Sequence, residues 1–197
     1  MAYYITSHDT LFIHIPKTGG TSILKWIEDY LEYEKKGIKH TWIDKWCNTH
    51  GPVKNHFTCV RNPYTRILSW FHYQGKKSKE RLDKSKARHY DSELFEIYQK
   101  GFNYWIKNGN PNILLNETIK RQQTDYYNSD VLFVLKTENL SSDFIKVQEY
   151  FNCFSPLDHV NKSKSSLLNY KDEYDLESKK IVSKIYEKDL DLLKYTF

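Results

Sequence analysis

The run Leu11-Phe12-Ile13-His14-Ile15 passes directly into Pro16-Lys17-Thr18-Gly19-Gly20-Thr21-Ser22, and that turn passes into the amphipathic stretch 23–36. A buried strand, a glycine-containing loop and a helix in immediate succession leave few folds open. Two glycines let backbone N–H groups approach a ligand closely, and the helix N-terminus adds its positive dipole end. Lys17 contributes a full charge, and Thr18, Thr21 and Ser22 contribute hydroxyl donors. An ordinary surface turn has no use for this set directly after an apolar strand. The segment reads as a cradle for a phosphate-sized anion on an α/β scaffold.

The loop differs from the Walker A pattern, in which Lys follows the last glycine and a hydroxyl serves Mg²⁺. Here Lys17 precedes the glycines, and Pro16 stands where that pattern wants a flexible residue. Two further strand-like runs end in cations, His56–Val60 at Arg61 and Val131–Leu135 at Lys136. Neither end supplies the carboxylate that holds Mg²⁺ in P-loop NTPases. The expectation is a site for a polyanion with no metal ligand.

A second motif starts at Arg61 and runs Asn62-Pro63-Tyr64-Thr65-Arg66-Ile67-Leu68-Ser69. Asn62 is a good N-cap and Pro63 suits the first helical position, so the spacing predicts a helix from there. Arg61 then projects from the carboxyl end of a strand, the edge where open α/β sheets bind ligands. A fork-shaped guanidinium with the Ser69 hydroxyl nearby on the helix is a sensible receptor for a phosphate monoester. Arg66 shares a helical face with Ser69 and is equally at home bridging to a neighbouring group.

Together the two motifs resemble the sulfotransferase superfamily, specifically its Golgi-type and bacterial carbohydrate branch. In that family I-P-K-T-G-G-T-S binds the 5′-phosphosulfate of 3′-phosphoadenosine 5′-phosphosulfate (PAPS), and R-x-P-x-x-R-x-x-S binds its 3′-phosphate. Ile15–Ser22 matches the first, and Arg61, Pro63, Arg66 and Ser69 match the second. Further along, Leu135–Leu140 with Asp143-Phe144 resembles the family's E-N-L-x-x-D-F segment. The stretch 159–163 resembles its late Asn-x-Ser loop, and Tyr186 with Asp189 its closing Y-x-x-D helix. The resemblance implies a three-layer, P-loop-like α/β fold with a central, mostly parallel sheet flanked by helices. It implies sulfuryl transfer from PAPS, with PAP as product, to the hydroxyl of a small-molecule or glycan acceptor. The implied cofactor-binding residues are Lys17, Thr18, Gly19, Gly20, Thr21, Ser22, Arg61 and Ser69, with Lys17 also catalytic. The family's general base is a His or Glu that often lies between the two motifs. His40, in a short run 38–41 that reads as a strand, is the expected base, with Glu28 and His50 as alternatives.

At 197 residues the chain is read as one domain, 1–197, with room for a real core. A formal charge of +5 suits acidic ligands but does not demand nucleic acid, and no zinc-finger spacing or aromatic-basic repeat appears. Abundant Lys, Asn, Tyr and Ile are what an AT-rich bacterial or phage genome encodes. Cys47, Cys59 and Cys153 are odd in number and widely spaced, which suits a reducing compartment. The cofactor strand begins about ten residues in, too soon for a signal peptide or an anchor of ~20 apolar residues. The expectation is a cytoplasmic enzyme without a membrane span.

Apolar residues at helical spacing predict helices over 92–107, after a cap at 141–143, and over 176–193, and these stripes read as core. The segment 76–89 carries seven Lys or Arg against Glu80 and Asp83 and reads as a solvated surface loop, with a lip for an anionic acceptor as the alternative. Two other functions stay open on the residues alone. One is a P-loop-like nucleotide kinase; the other is an inactive relative that binds nucleotide or glycan.

Overall fold

The computed structural model describes residues 2–109, 117–158 and 169–197. In chain order the elements are β1 (Ala2–Ile5), β2 (Thr10–Ile13), α1 (Gly20–Tyr30), β3 (Tyr33–Lys36), α2 (Ile43–His50), β4 (Asn55–Val60), α3 (Pro63–Asp83), α4 (Asp91–Gln99), α5 (Phe102–Asn108), α6 (Glu117–Lys120), β5 (Val131–Lys136), α7 (Leu140–Asp143), α8 (Ile145–Phe151), α9 (Leu176–Ile185) and α10 (Glu187–Leu192). They divide between two compact units, 1–61 with 123–162 and 62–122 with 163–197.

The first unit holds the sheet, in the order β3-β1-β2-β4-β5. β2, β4 and β5 pair in parallel, while β1 is antiparallel to both β2 and β3. Four strands therefore run one way and one is reversed, the mostly parallel α/β sheet the sequence led us to expect. Side chains alternate across it, as strand geometry requires. Tyr3, Ile5, Phe12, Phe57, Cys59 and Leu135 share one core with Ile23, Trp26 and Ile27 of α1 and Val147 and Phe151 of α8. On the opposite face Tyr4 stacks on Trp46 of α2 at 5.9 Å. Fully burying side chains of this size contributes about 1.5–3 kcal/mol each, so this packing fixes α1 against the sheet.

The second unit is helical. Asn62 caps α3 by accepting the Tyr64 N–H at 3.0 Å, and Pro63 takes the first helical position, as predicted. Its core gathers Ile67, Leu68 and Phe71 with Leu94, Phe102, Trp105, Val182 and Tyr186.

Several local expectations are corrected. The first helix ends at Tyr30 rather than running through the whole stretch 23–36, because 33–36 pairs with β1. Tyr33 stacks on Tyr3 of β1 at 5.2 Å, and the Lys35 ammonium lies 5.1 Å from the Tyr3 ring, so cross-strand partners outweigh helical spacing. The run 38–41 is a turn, with Gly37 and His40 both at left-handed φ (63° and 62°), which an extended strand does not allow. The helix over 92–107 is two helices, broken at Gly101, whose φ of 92° suits only glycine. Tyr186 interrupts the closing helix, its hydroxyl donating to the Ile119 carbonyl at 2.6 Å.

Residues 76–83 are not a loop but the continuation of α3. Gly75 sits so close to Tyr98 that a Cβ there would lie 2.1 Å from the ring, and Ser78 is buried beside it. Asp91, fully buried, receives both ends of the Arg81 guanidinium at 2.6 and 2.7 Å and the Arg88 guanidinium and N–H besides. Those contacts hold α3 against α4 and order the basic segment. The Arg81 hydrogen bonds hold the Asp91 carboxyl far below its ordinary range, against the opposing effect of burial.

Candidate functional site

Parallel pairing brings the carboxyl ends of β2, β4 and β5 to one edge, with Ile13 beside Thr58 and Val60 beside Lys136. Each strand delivers a piece of the site there. The turn after β2 contains two left-handed residues, Lys17 (φ 69°) and Gly19 (φ 78°), on either side of buried Thr18. Thr18 donates its hydroxyl to the Ile15 carbonyl at 2.9 Å, closing the turn. The hydroxyl expected to face a ligand thus faces inward, and the exposed part of the turn is Gly19. α1 begins at Gly20, so its first N–H groups lack intrahelical acceptors and carry the positive end of the dipole. The Ser22 N–H turns back to Gly19 O at 3.1 Å, and Thr21 is exposed beside it.

His14 underlies this turn. Its ring is buried against Gly20, where an added Cβ would lie 2.4 Å from Cδ2, and its Nδ1 has no hydrogen-bond partner. Burial, reinforced by His40 and nearby lysines, holds His14 well below the usual histidine pKa, so it is neutral.

Arg61 continues from β4. Its backbone is clamped by the carboxamide of buried Gln123, which accepts the Arg61 N–H at 2.9 Å and donates to the Arg61 carbonyl at 2.8 Å. Its guanidinium Nη1 donates to the Lys17 carbonyl at 3.4 Å. Burial, with repulsion from Arg61, lowers the Lys17 ammonium to about 8. Two cations held this close attract an anion with more than one charge.

His40 lies at the same loop. Its Nδ1 is 2.8 Å from the His14 carbonyl, and its ring meets the His14 ring edge-on at 4.7 Å. A carbonyl only accepts, so Nδ1 carries the proton and the neutral ring keeps its lone pair on Nε2. The alternatives sit elsewhere. Glu28 is bound by Lys35 and by the Tyr3 hydroxyl, and His50 stacks on Trp46 at 5.0 Å.

The structure therefore brings Lys17, the 18–22 turn, Arg61 and His40 together within the first unit. Ser69 is part-exposed on α3, in the second unit, and Arg66 there is fully buried, its guanidinium directed at the carbonyls of Arg121 and Thr118. Arg66 is an internal strut rather than a ligand group. Tyr186 and Asp189 are likewise buried, and the Asp189 N–H donates to Gln122. The 159–163 motif lies outside the described residues.

Three residues escaped the sequence reading: His14, Gln123 and Thr137. The Thr137 hydroxyl lies 2.7 Å from Thr18 O and 2.9 Å from Val60 O. His14 had a signal, a polar ring in an otherwise apolar run. Gln123 belongs to no motif, and its role depends on a partner 62 positions away.

Among the described residues no group of three or more His, Cys, Asp or Glu could hold a metal ion, and no helix is long and apolar enough to cross a membrane. Comparison with family models matches the model described as Sulfotransferase family over residues 3–196. Neither the curated proteins nor the solved structures give a match.

Proposed function

Because this chain belongs to the sulfotransferase family, and so is an enzyme of sulfuryl transfer, we propose that its donor is PAPS and its acceptor a hydroxyl, carried on a carbohydrate. The observation that carries this reading is the sheet edge where the 16–20 turn, the α1 N-terminus, Lys17 and Arg61 converge. The donor set fits the group. Backbone N–H groups and two cations suit a phosphosulfate, whose charge is spread over several oxygens. The resemblance of the Arg61–Ser69 motif to the carbohydrate branch assigns the 3′-phosphate to Arg61 and Ser69, and that of 15–22 assigns the 5′-phosphosulfate to the turn.

When bound, PAPS supplies an activated sulfuryl group whose transfer leaves negative charge on the 5′-phosphate. Lys17 and the amides of Gly19 to Thr21 hold that charge as it grows, a preorganised electrostatic role. Arg61, its backbone clamped by Gln123 and its guanidinium on the Lys17 carbonyl, neutralises further charge. His40 takes the acceptor hydroxyl's proton at Nε2, while its Nδ1–H on the His14 carbonyl keeps the ring in the tautomer that can accept it. This division of labour gives no step to a metal ion.

Calorimetric titration with PAP, adenosine 5′-phosphosulfate, ATP and ATP–Mg²⁺ tests the reading. PAP should bind most tightly, and Arg61→Ala should weaken PAP by about tenfold or more, the scale for losing a charged hydrogen bond. The same variant should affect adenosine 5′-phosphosulfate, which lacks the 3′-phosphate, far less. Preference for ATP–Mg²⁺ would favour the kinase reading. Equal losses for both ligands in the variant would remove the 3′-phosphate from Arg61.

A further inference from the structure

We propose that Thr137 is the positioning residue that aims the Gly19 N–H at the 5′ end of the donor, an inference that rests on the donor assignment above. Thr137 follows the last residue of β5, and its side chain lies where three strand ends meet. Oγ1 is 2.7 Å from the Thr18 carbonyl, 2.9 Å from the Val60 carbonyl and 3.6 Å from Cys59 Sγ. Both carbonyls can only accept, so the single hydroxyl proton serves them, and the thiol is the neighbour able to donate to the oxygen. Burial pushes the Cys59 thiol up to about 12, so it remains a neutral S–H and puts no negative charge beside the loop. A Cβ on Gly19 would meet Thr137 Cγ2 at 3.5 Å and Oγ1 at 3.9 Å, so the Thr137 side chain stands beside the glycine.

The consequence follows from peptide geometry. The peptides of the described residues are trans, so the C=O of Thr18 and the N–H of Gly19 point to opposite sides of one plane. Drawing the Thr18 carbonyl inward onto Thr137 turns the Gly19 N–H away from the strand ends, toward the side of the exposed glycine. Gly19 sits at φ 78°, and glycine tolerates either peptide orientation, so the loop sequence alone does not select one. The hydroxyl on β5 supplies the selection. It acts on the ligand only through the loop backbone.

Two variants separate the hydroxyl from the shape. Thr137→Val keeps the volume and loses the O–H; Thr137→Ser keeps the O–H and loses the methyl. In calorimetry, Thr137→Val should weaken PAP and adenosine 5′-phosphosulfate by a common factor of about ten, the scale of one oriented hydrogen bond. It should leave adenosine 3′-phosphate, which has no 5′ group, unchanged, and Thr137→Ser should stay within about threefold of wild type for all three. Equal losses for all three ligands, or no rescue by serine, would overturn the proposal. A second measurement needs no nucleotide. In ¹⁵N-labelled, ligand-free protein the Gly19 amide resonance should shift and broaden in Thr137→Val and stay in place in Thr137→Ser. An unmoved Gly19 resonance in Thr137→Val would refute the brace whatever the donor is. If wild type binds neither PAP nor adenosine 5′-phosphosulfate, the donor assignment falls, and the Gly19 resonance alone decides whether Thr137 orients the loop.

Discussion

Gly19 and Gly20 are adjacent, yet each is required for a different reason, and a double-mutant cycle should tell the reasons apart. Gly20 opens α1 without a left-handed φ, so its backbone conformation would accept alanine. What forbids a side chain is His14. A Cβ would lie 2.4 Å from Cδ2, 2.7 Å from Nε2 and 3.3 Å from Cγ of a buried ring, against an optimal carbon–carbon separation of about 3.5–4.0 Å. The ring would have to give by roughly an ångström in a packed interior, and overpacking of that kind costs about 1–3 kcal/mol. Replacing glycine in a helix gains up to about 0.5–1 kcal/mol, which offsets part of it. Gly20→Ala alone should therefore lower stability by about 1–2 kcal/mol in urea unfolding. In a His14→Ala background the obstacle is gone, and the same substitution should be neutral or stabilising. The coupling should fall in the range of about 1–3 kcal/mol. Gly19→Ala is the control. Space exists at Gly19, where the nearest atoms are 3.5 Å away, but its φ of 78° is left-handed. Its cost, about 1–2 kcal/mol, should be the same with or without His14. Additivity of Gly20→Ala and His14→Ala within about 0.5 kcal/mol would refute the steric account and place the glycine requirement in the backbone.

Three further outcomes are expected. With the Lys17 ammonium lowered to about 8, kcat/KM for the donor should hold below that pH and fall above it as the charge is lost, and Lys17→Arg should remove that limb; an unchanged limb assigns the titration elsewhere. His40→Ala should leave PAP affinity within a few-fold while lowering kcat by roughly 10²–10⁴, and near-normal turnover would move the proton acceptor to another group. Asp91→Asn removes the carboxylate that binds Arg81 and Arg88, so stability should drop by about 1.5–3 kcal/mol and trypsin should cut faster at Lys84, Lys86 and Arg88; wild-type cleavage rates would show that the clamp does not order the segment.

What the amino-acid order determined by itself was whatever acts between near neighbours. The strand, loop and helix of 11–30 and the Asn62-Pro63 start of α3 were legible because caps, glycines and apolar spacing work within a turn or two of chain. The residues proposed for the donor, the 16–22 turn and Arg61, were singled out from the same short-range patterns. The end of α1 was not, because its competitor, pairing of Tyr33–Lys36 with β1, is stabilised by residues far back in the chain. The basic segment was misread because its order comes from Tyr98 and Asp91 on another helix, whereas charge density alone speaks for solvent. His40 was singled out by its chemical type, but only the tertiary structure put its Nδ1 on the His14 carbonyl and so chose which nitrogen is basic. Gln123 belongs to no motif, and Thr137 lies within the 135–140 stretch with nothing local to mark its role. Their roles exist only because parallel pairing brings separate strand ends to one edge, where a carboxamide and a hydroxyl meet carbonyls distant in sequence. Short-range propensity chose the elements; long-range hydrogen bonding and packing chose where they stop and how the site is held.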